Sequence, residues 1–92
     1  MDKQQYHNRV SKINNFLTTN KLGKLLFQMI LNKAESDSDC MSLFKKWLKK
    51  GRTVHLRDEL SLVFLNRFNG ELEWYYAFTV VDDAFLQVKY NK

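Results

Sequence analysis

Residues 59–90, ELSLVFLNRFNGELEWYYAFTVVDDAFLQVKY, decide how the chain is read. Asn69-Gly70 sits between two runs in which every second residue is apolar. That pattern signals a hairpin, because a type I′ turn needs positive φ at both central positions. The turn sets a register with Phe68 opposite Glu71, Asn66 opposite Glu73, Phe64 opposite Tyr75 and Leu62 opposite Ala77. A second two-residue turn at Asp82-Asp83 sets Thr79 against Leu86, Ala77 against Val88 and Tyr75 against Tyr90. The segment therefore predicts a three-stranded antiparallel β-meander over 59–90.

Side chains on a strand alternate between faces with period two, which divides the meander into two sets. One face takes Leu60, Leu62, Phe64, Tyr75, Ala77, Leu86, Val88 and Tyr90. The other takes Val63, Leu65, Leu72, Trp74, Tyr76, Phe78, Val80 and Phe85, bordered by Ser61, Arg67, Gln87 and Lys89. A half-solvated antiparallel sheet shows one polar face. Here both are apolar. Either helices cover both sides, or the Trp74 face meets another molecule.

Upstream, apolar spacing changes to that of helices. Asp2 caps a helix over 3–18, with Tyr6, Val10, Ile13 and Leu17 as a narrow stripe and Gln4, Asn8, Arg9, Lys12 and Asn15 on the wet side. Thr19 or Asn20 caps a second helix running to Ala34, apolar most of the way round and hence central. Gly23 weakens its first turn and permits close packing. Residues 35–39 break the pattern and supply caps for a third helix over 38–50, closed by Gly51. Residues 53–56 read as a short strand or a connector. The whole is an α+β chain, ααα then three strands, in one domain over 1–92.

Ninety-two residues suffice for a modest core. A single cysteine, Cys40, precludes an internal disulfide and fits a reducing compartment. The longest strongly apolar run, 25–31, is too short to span a bilayer, so the expectation is a cytoplasmic protein with no membrane partner. Lys outnumbers Arg eleven to four and there are eight Asn residues, the bias of an A/T-rich coding sequence such as that of a low-G+C bacterium, a phage or a mobile element. The net charge of +5 is uneven: residues 1–35 carry +4, 36–58 carry +3 and 59–92 carry −2.

Two candidate surfaces follow. Lys45, Lys46, Lys49, Lys50, Arg52 and Arg57 put six cations in thirteen residues with no acid among them. Lysines in the last turn of a helix complement its dipole, and the bland reading is a solvated face. The functional reading is an anion contact, joined by Arg67 and directed at phosphates. Asp37 and Asp39 at the start of the third helix repel phosphate and argue against a major-groove recognition helix. The second surface is the row Val63, Leu65, Leu72, Trp74, Tyr76 and Phe78. Its bland reading is core beneath a helix. Its functional readings are a protein interface, homodimerisation included, or a base-stacking platform.

Enzyme chemistry finds little support. His7 and His55 lack ligand spacing with Cys40 or a carboxylate pair, so no metal site is expected. Three scattered glycines make no phosphate loop, and no cofactor is implied. One metal-independent ribonuclease arrangement remains, with His55 paired with Glu59 or Glu73 as acid and base and Arg67 on the phosphate. The sequence thus predicts a non-catalytic binding module, a small regulator or inhibitor, docking on a macromolecular partner through the aromatic sheet face and the basic cluster. The alternatives are a nucleic-acid binder of little sequence preference and the ribonuclease.

Overall fold

Helical capping signals are obeyed from the first residues onward. A computed structural model describes residues 2–17, 20–50, 54–69 and 72–90 and, within those spans, every side chain except those of Phe16, Lys50, Val54 and 85–90. Asp2 caps α1 (Lys3–Phe16) through a capping box with Gln5, and the Asn20 side chain accepts the Gly23 amide to cap α2 (Lys21–Glu35). Asp37 caps α3 (Ser38–Lys50), its carboxylate accepting the amides of Asp39 and Cys40 at 3.0 and 3.1 Å. Those three helices stand where the pattern puts them.

The second half does not. Residues 54–67 form α4 (Val54–Arg67) and residues 74–90 form α5 (Trp74–Tyr90). Among the described residues there is no strand, so the architecture is all-helical rather than α+β. The three-stranded meander, its register and its two faces are all overturned. Asp82-Asp83 is no turn but lies inside α5, with Asp82 buried. Val54, His55 and Leu56 are the first turn of α4 rather than a strand. Gly51, Arg52, Thr53, Gly70 and Glu71 lie outside the described residues.

The physical reason lies in the spacing. Leu60, Phe64 and Phe68 fall at i, i+4, i+8, while Trp74, Ala77, Phe78, Val81 and Ala84 fall at i, i+3, i+4, i+7, i+10. Each set lies on one side of a helix, and each is buried or packed on the core. Asn-Gly ends a helix as readily as it closes a hairpin. α4 is apolar beyond its inner stripe, leaving Leu62 and Leu65 exposed, and that excess mimics alternation. The β propensity of Trp74, Tyr75, Tyr76 and Phe78 yields to packing.

Packing converges on a row of rings. Phe27 of α2 meets Phe44 of α3 at 6.0 Å between centroids, and Phe44 stacks on Trp47 at 5.7 Å. Trp47 meets Phe78 of α5 edge-on at 5.7 Å, and Phe78 meets Phe64 of α4 at 5.1 Å. Phe64 then meets Trp74 at 5.0 Å. Each such pair adds roughly 0.5–1.5 kcal/mol beyond the area it buries. The Trp74 indole also donates to the carbonyl of Phe68, 3.4 Å away, just past the end of α4. α5 packs between α2 and α4, and α3 bridges the same two helices. At Gly23 an added Cβ would lie 2.9 Å from the Cβ of Ala84, so α2 approaches α5 closely because that residue lacks one.

Candidate anion-binding face

α1 and the C-terminal half of α3 present the groove of greatest chemical interest. Gln5, Asn8, Arg9 and Lys12 follow i, i+3, i+4, i+7 along α1 and form one stripe beside the apolar residues Tyr6 and Ile13 that hold this helix to the core. Lys49 completes the lining of a groove of ≈ 410 Å³. Lys45, one turn earlier on α3, lies 5.6 Å from the Tyr6 ring centroid.

Donors predominate among the polar groups of this groove. Gln5 Oε1 accepts from the Asp2 amide at 3.2 Å, and Asn8 Oδ1 accepts from Gln4 Nε2 at 3.0 Å. Both amide side chains therefore keep their NH₂ groups for a ligand. Arg9 donates from Nε to the Leu48 carbonyl at 2.8 Å, which pins its guanidinium across the end of α3 and leaves the Nη groups available. None of Arg9, Lys12, Lys45, Lys46 and Lys49 pairs with a carboxylate among the described residues. The C-terminus of a helix carries roughly half a negative charge. Five cations exceed what that dipole neutralises by a wide margin.

The sequence-predicted cluster is divided by the fold. Lys49 lines the groove, Lys45 lies beside it over Tyr6 and Lys46 is exposed on the same helix, while the Lys50 side chain and Arg52 lie outside the described residues. Arg57 and Arg67 are on α4. Arg57 contacts Asp58 at 3.4 Å and stacks over Tyr75, 4.8 Å from its ring centroid. Arg67 bonds Asp39 and reaches Asp37 at 3.6 Å. Asp37 and Asp39 are thus tied to a cation, and the Asp37 carboxyl is held below its usual range by the Cys40 amide and, less strongly, by Arg67. Sequence reasoning missed the α1 contribution, although the four-residue stripe was visible as a hydrophilic side at helical spacing.

The apolar row is divided as well. Trp74 is 2% exposed and Phe78 fully buried, so both belong to the core. Tyr76 is 52% exposed, Leu65 is exposed, and Val63 and Leu72 are half-buried. Leu65, Leu72 and Trp74 border one groove between α4 and α5, whose lining does not include Val63, Tyr76 or Phe78. The ribonuclease arrangement is split too: His55 and Glu59 stand one turn apart on α4, but Arg67 lies twelve residues from His55, about 18 Å along the axis, and is occupied by Asp37 and Asp39. Burial pushes the Cys40 thiol up to about 11, with Asp37 adding to the effect. A thiol so protonated is a weak nucleophile. Among the described residues no three His, Cys, Asp or Glu side chains converge to hold a metal, and no helix is long and apolar enough to cross a membrane.

Comparison with protein-family models, with curated proteins and with solved structures finds no match. The reading of the site rests on its own residues.

Proposed function

We propose that the protein is a non-catalytic binding module that docks on nucleic acid through the α1–α3 face, gripping the phosphate backbone with little sequence preference. The supporting observation is a groove rich in donors, with cations that no carboxylate of the described residues neutralises. Phosphodiesters are anionic and offer acceptors alone, which is the complement of such a lining. The burial of Trp74 and Phe78 moves the balance from an aromatic protein-docking face to charge. A free, buried Cys40 fits a reducing compartment, and we place the protein in the cytoplasm.

A labelled oligonucleotide, single- or double-stranded, titrated at low and high salt tests the reading. Binding weakens steeply with salt, and Arg9→Glu/Lys49→Glu abolishes it while the far-ultraviolet circular dichroism is unchanged. Binding that ignores salt, or that survives the double reversal, rejects the proposal. Retention of an acidic protein but of no oligonucleotide rejects it in favour of an acidic protein partner.

A further inference from the structure

The other side of the molecule carries a different kind of site. Between α4 and the start of α5 runs a groove of ≈ 300 Å³ with Leu62, Leu65 and Leu72 along it and one carboxylate on each wall, Asp58 and Glu73. Leu62 is 62% exposed. Asp58, Leu62 and Leu65 follow i, i+4, i+7, about 10 Å of helix, the length over which a docked helix presents two turns of anchors. Glu73 has no cation partner among the described residues, and the two arginines of α4 are consumed by Asp58, Asp37 and Asp39. Glu73 is exposed and open to a cation from another molecule.

The complementary surface is present on the same chain. α2 exposes Leu22, Leu25 and Met29 at i, i+3, i+7, flanked by exposed Lys21 and Lys24, neither paired with a carboxylate of the described residues. It is a cationic, apolar-edged helix of the form that the groove accepts. The two surfaces adjoin: Met29 shares a crevice with Leu72 and Trp74, and those two residues also border the α4–α5 groove. Adjacent complementary patches can be satisfied reciprocally by a two-fold axis between them, each copy giving its α2 edge and receiving its partner's. Groove against groove would oppose Glu73 to itself, and groove against the α1–α3 face would meet cations without apolar anchors.

We propose that the protein forms a symmetric dimer in which the Leu22–Leu25–Met29 edge of α2 lies in the α4–α5 groove of a second copy, with Lys24 against Glu73. Such a patch falls short of the roughly 20–30 residues a side of a standard interface, so association is weak. The α1–α3 faces stay outside this contact, and a dimer presents two of them to one strand, which raises avidity without new contacts.

Light scattering and sedimentation equilibrium over a wide concentration range, without nucleic acid, test this directly. The expected mass rises from 11.0 kDa and levels at twice that value. Leu62→Glu and Leu25→Glu each hold the protein monomeric with unchanged helicity, because both positions are exposed. Glu73→Lys and Lys24→Glu each weaken association about tenfold, and the two together restore it. A monomer at every concentration overturns the proposal, as do masses that grow beyond two copies, a mass indifferent to Leu62→Glu and Leu25→Glu, or a double charge swap that fails to rescue. Failure here leaves oligonucleotide binding by the monomer untouched, so the two readings fail separately.

Discussion

The α1–α3 face and the α4–α5 half dispose of charge in opposite ways. On α4, Arg57 and Arg67 are bound by carboxylates, and among the described side chains the unpaired charges of this half are acids: Glu59, Glu73 and Asp83. On α1 and the end of α3, Arg9, Lys12, Lys45, Lys46 and Lys49 pair with no carboxylate among the described residues, and the Gln5 and Asn8 amides keep their NH₂ groups to donate. What separates the two is pairing and not number. A count of Lys and Arg along residues 45–57 merges cations that the fold sends to opposite fates.

The largest effect sharpens the fold side of this comparison. Trp74→Glu removes a buried indole, costing about 3–5 kcal/mol in lost packing, and places a charge where none can be answered. The sum approaches the whole stability of a small domain, so the variant unfolds, as loss of the cooperative thermal transition will show. Tyr76→Glu, two residues on and exposed, stays within about 0.5 kcal/mol of the parent in a urea titration. Similar losses in both would place the two aromatics in one environment and break the helical account of α5.

Gly23→Ala comes next. Its Cβ meets that of Ala84, which is fixed to its backbone, so α2 and α5 must separate. Overpacking of this kind costs about 1–3 kcal/mol, against a gain of up to about 1 kcal/mol in helix propensity. A lower urea midpoint with unchanged slope is the expected result; a rise would show that the helices stand further apart.

A smaller effect depends on pH. Because the Asp37 carboxyl is held low in the folded state, its ionised form favours folding above the ordinary value of 3.8, and that contribution is lost as the pH falls through the lowered folded value. Asp37→Asn keeps a capping oxygen and removes the charge. The stability gap between the protein and this variant is open at neutral pH and closes in acid. Cys40 runs the other way: its thiol, raised from 9.0 to about 11, favours folding below 9.0, and the contribution fades as alkaline pH approaches the folded value. A thiol-modifying reagent at neutral pH labels Cys40 slowly until denaturant exposes it.

The first three helices were legible because each has a cap at its start: Asp2, Asn20 and Asp37 precede apolar runs of helical length. The last two were not, and the sign of error was in view. A segment apolar on both faces at period two is a segment whose period is not two. Leu62 and Leu65 blur the α4 stripe because they face outward, and Asn69-Gly70 serves two kinds of ending. At the site, Lys45, Lys46 and Lys49 could be read directly. Arg9, Lys12, Gln5 and Asn8 could not be joined to them, since nothing along the chain says that α1 lies against the end of α3. The capture of Arg57 and Arg67 depends on the same tertiary knowledge.

The central claim is that free cations on the α1–α3 face hold phosphates, and the salt dependence of oligonucleotide affinity measures it most directly. For about four phosphate contacts the logarithm of the affinity falls with that of salt at a slope of about −3 to −4. Lys49→Ala reduces that slope by about one, whereas Arg57→Ala, whose cation is already paired, leaves it unchanged. A flat salt response, or equal loss of slope in both variants, would contradict the account.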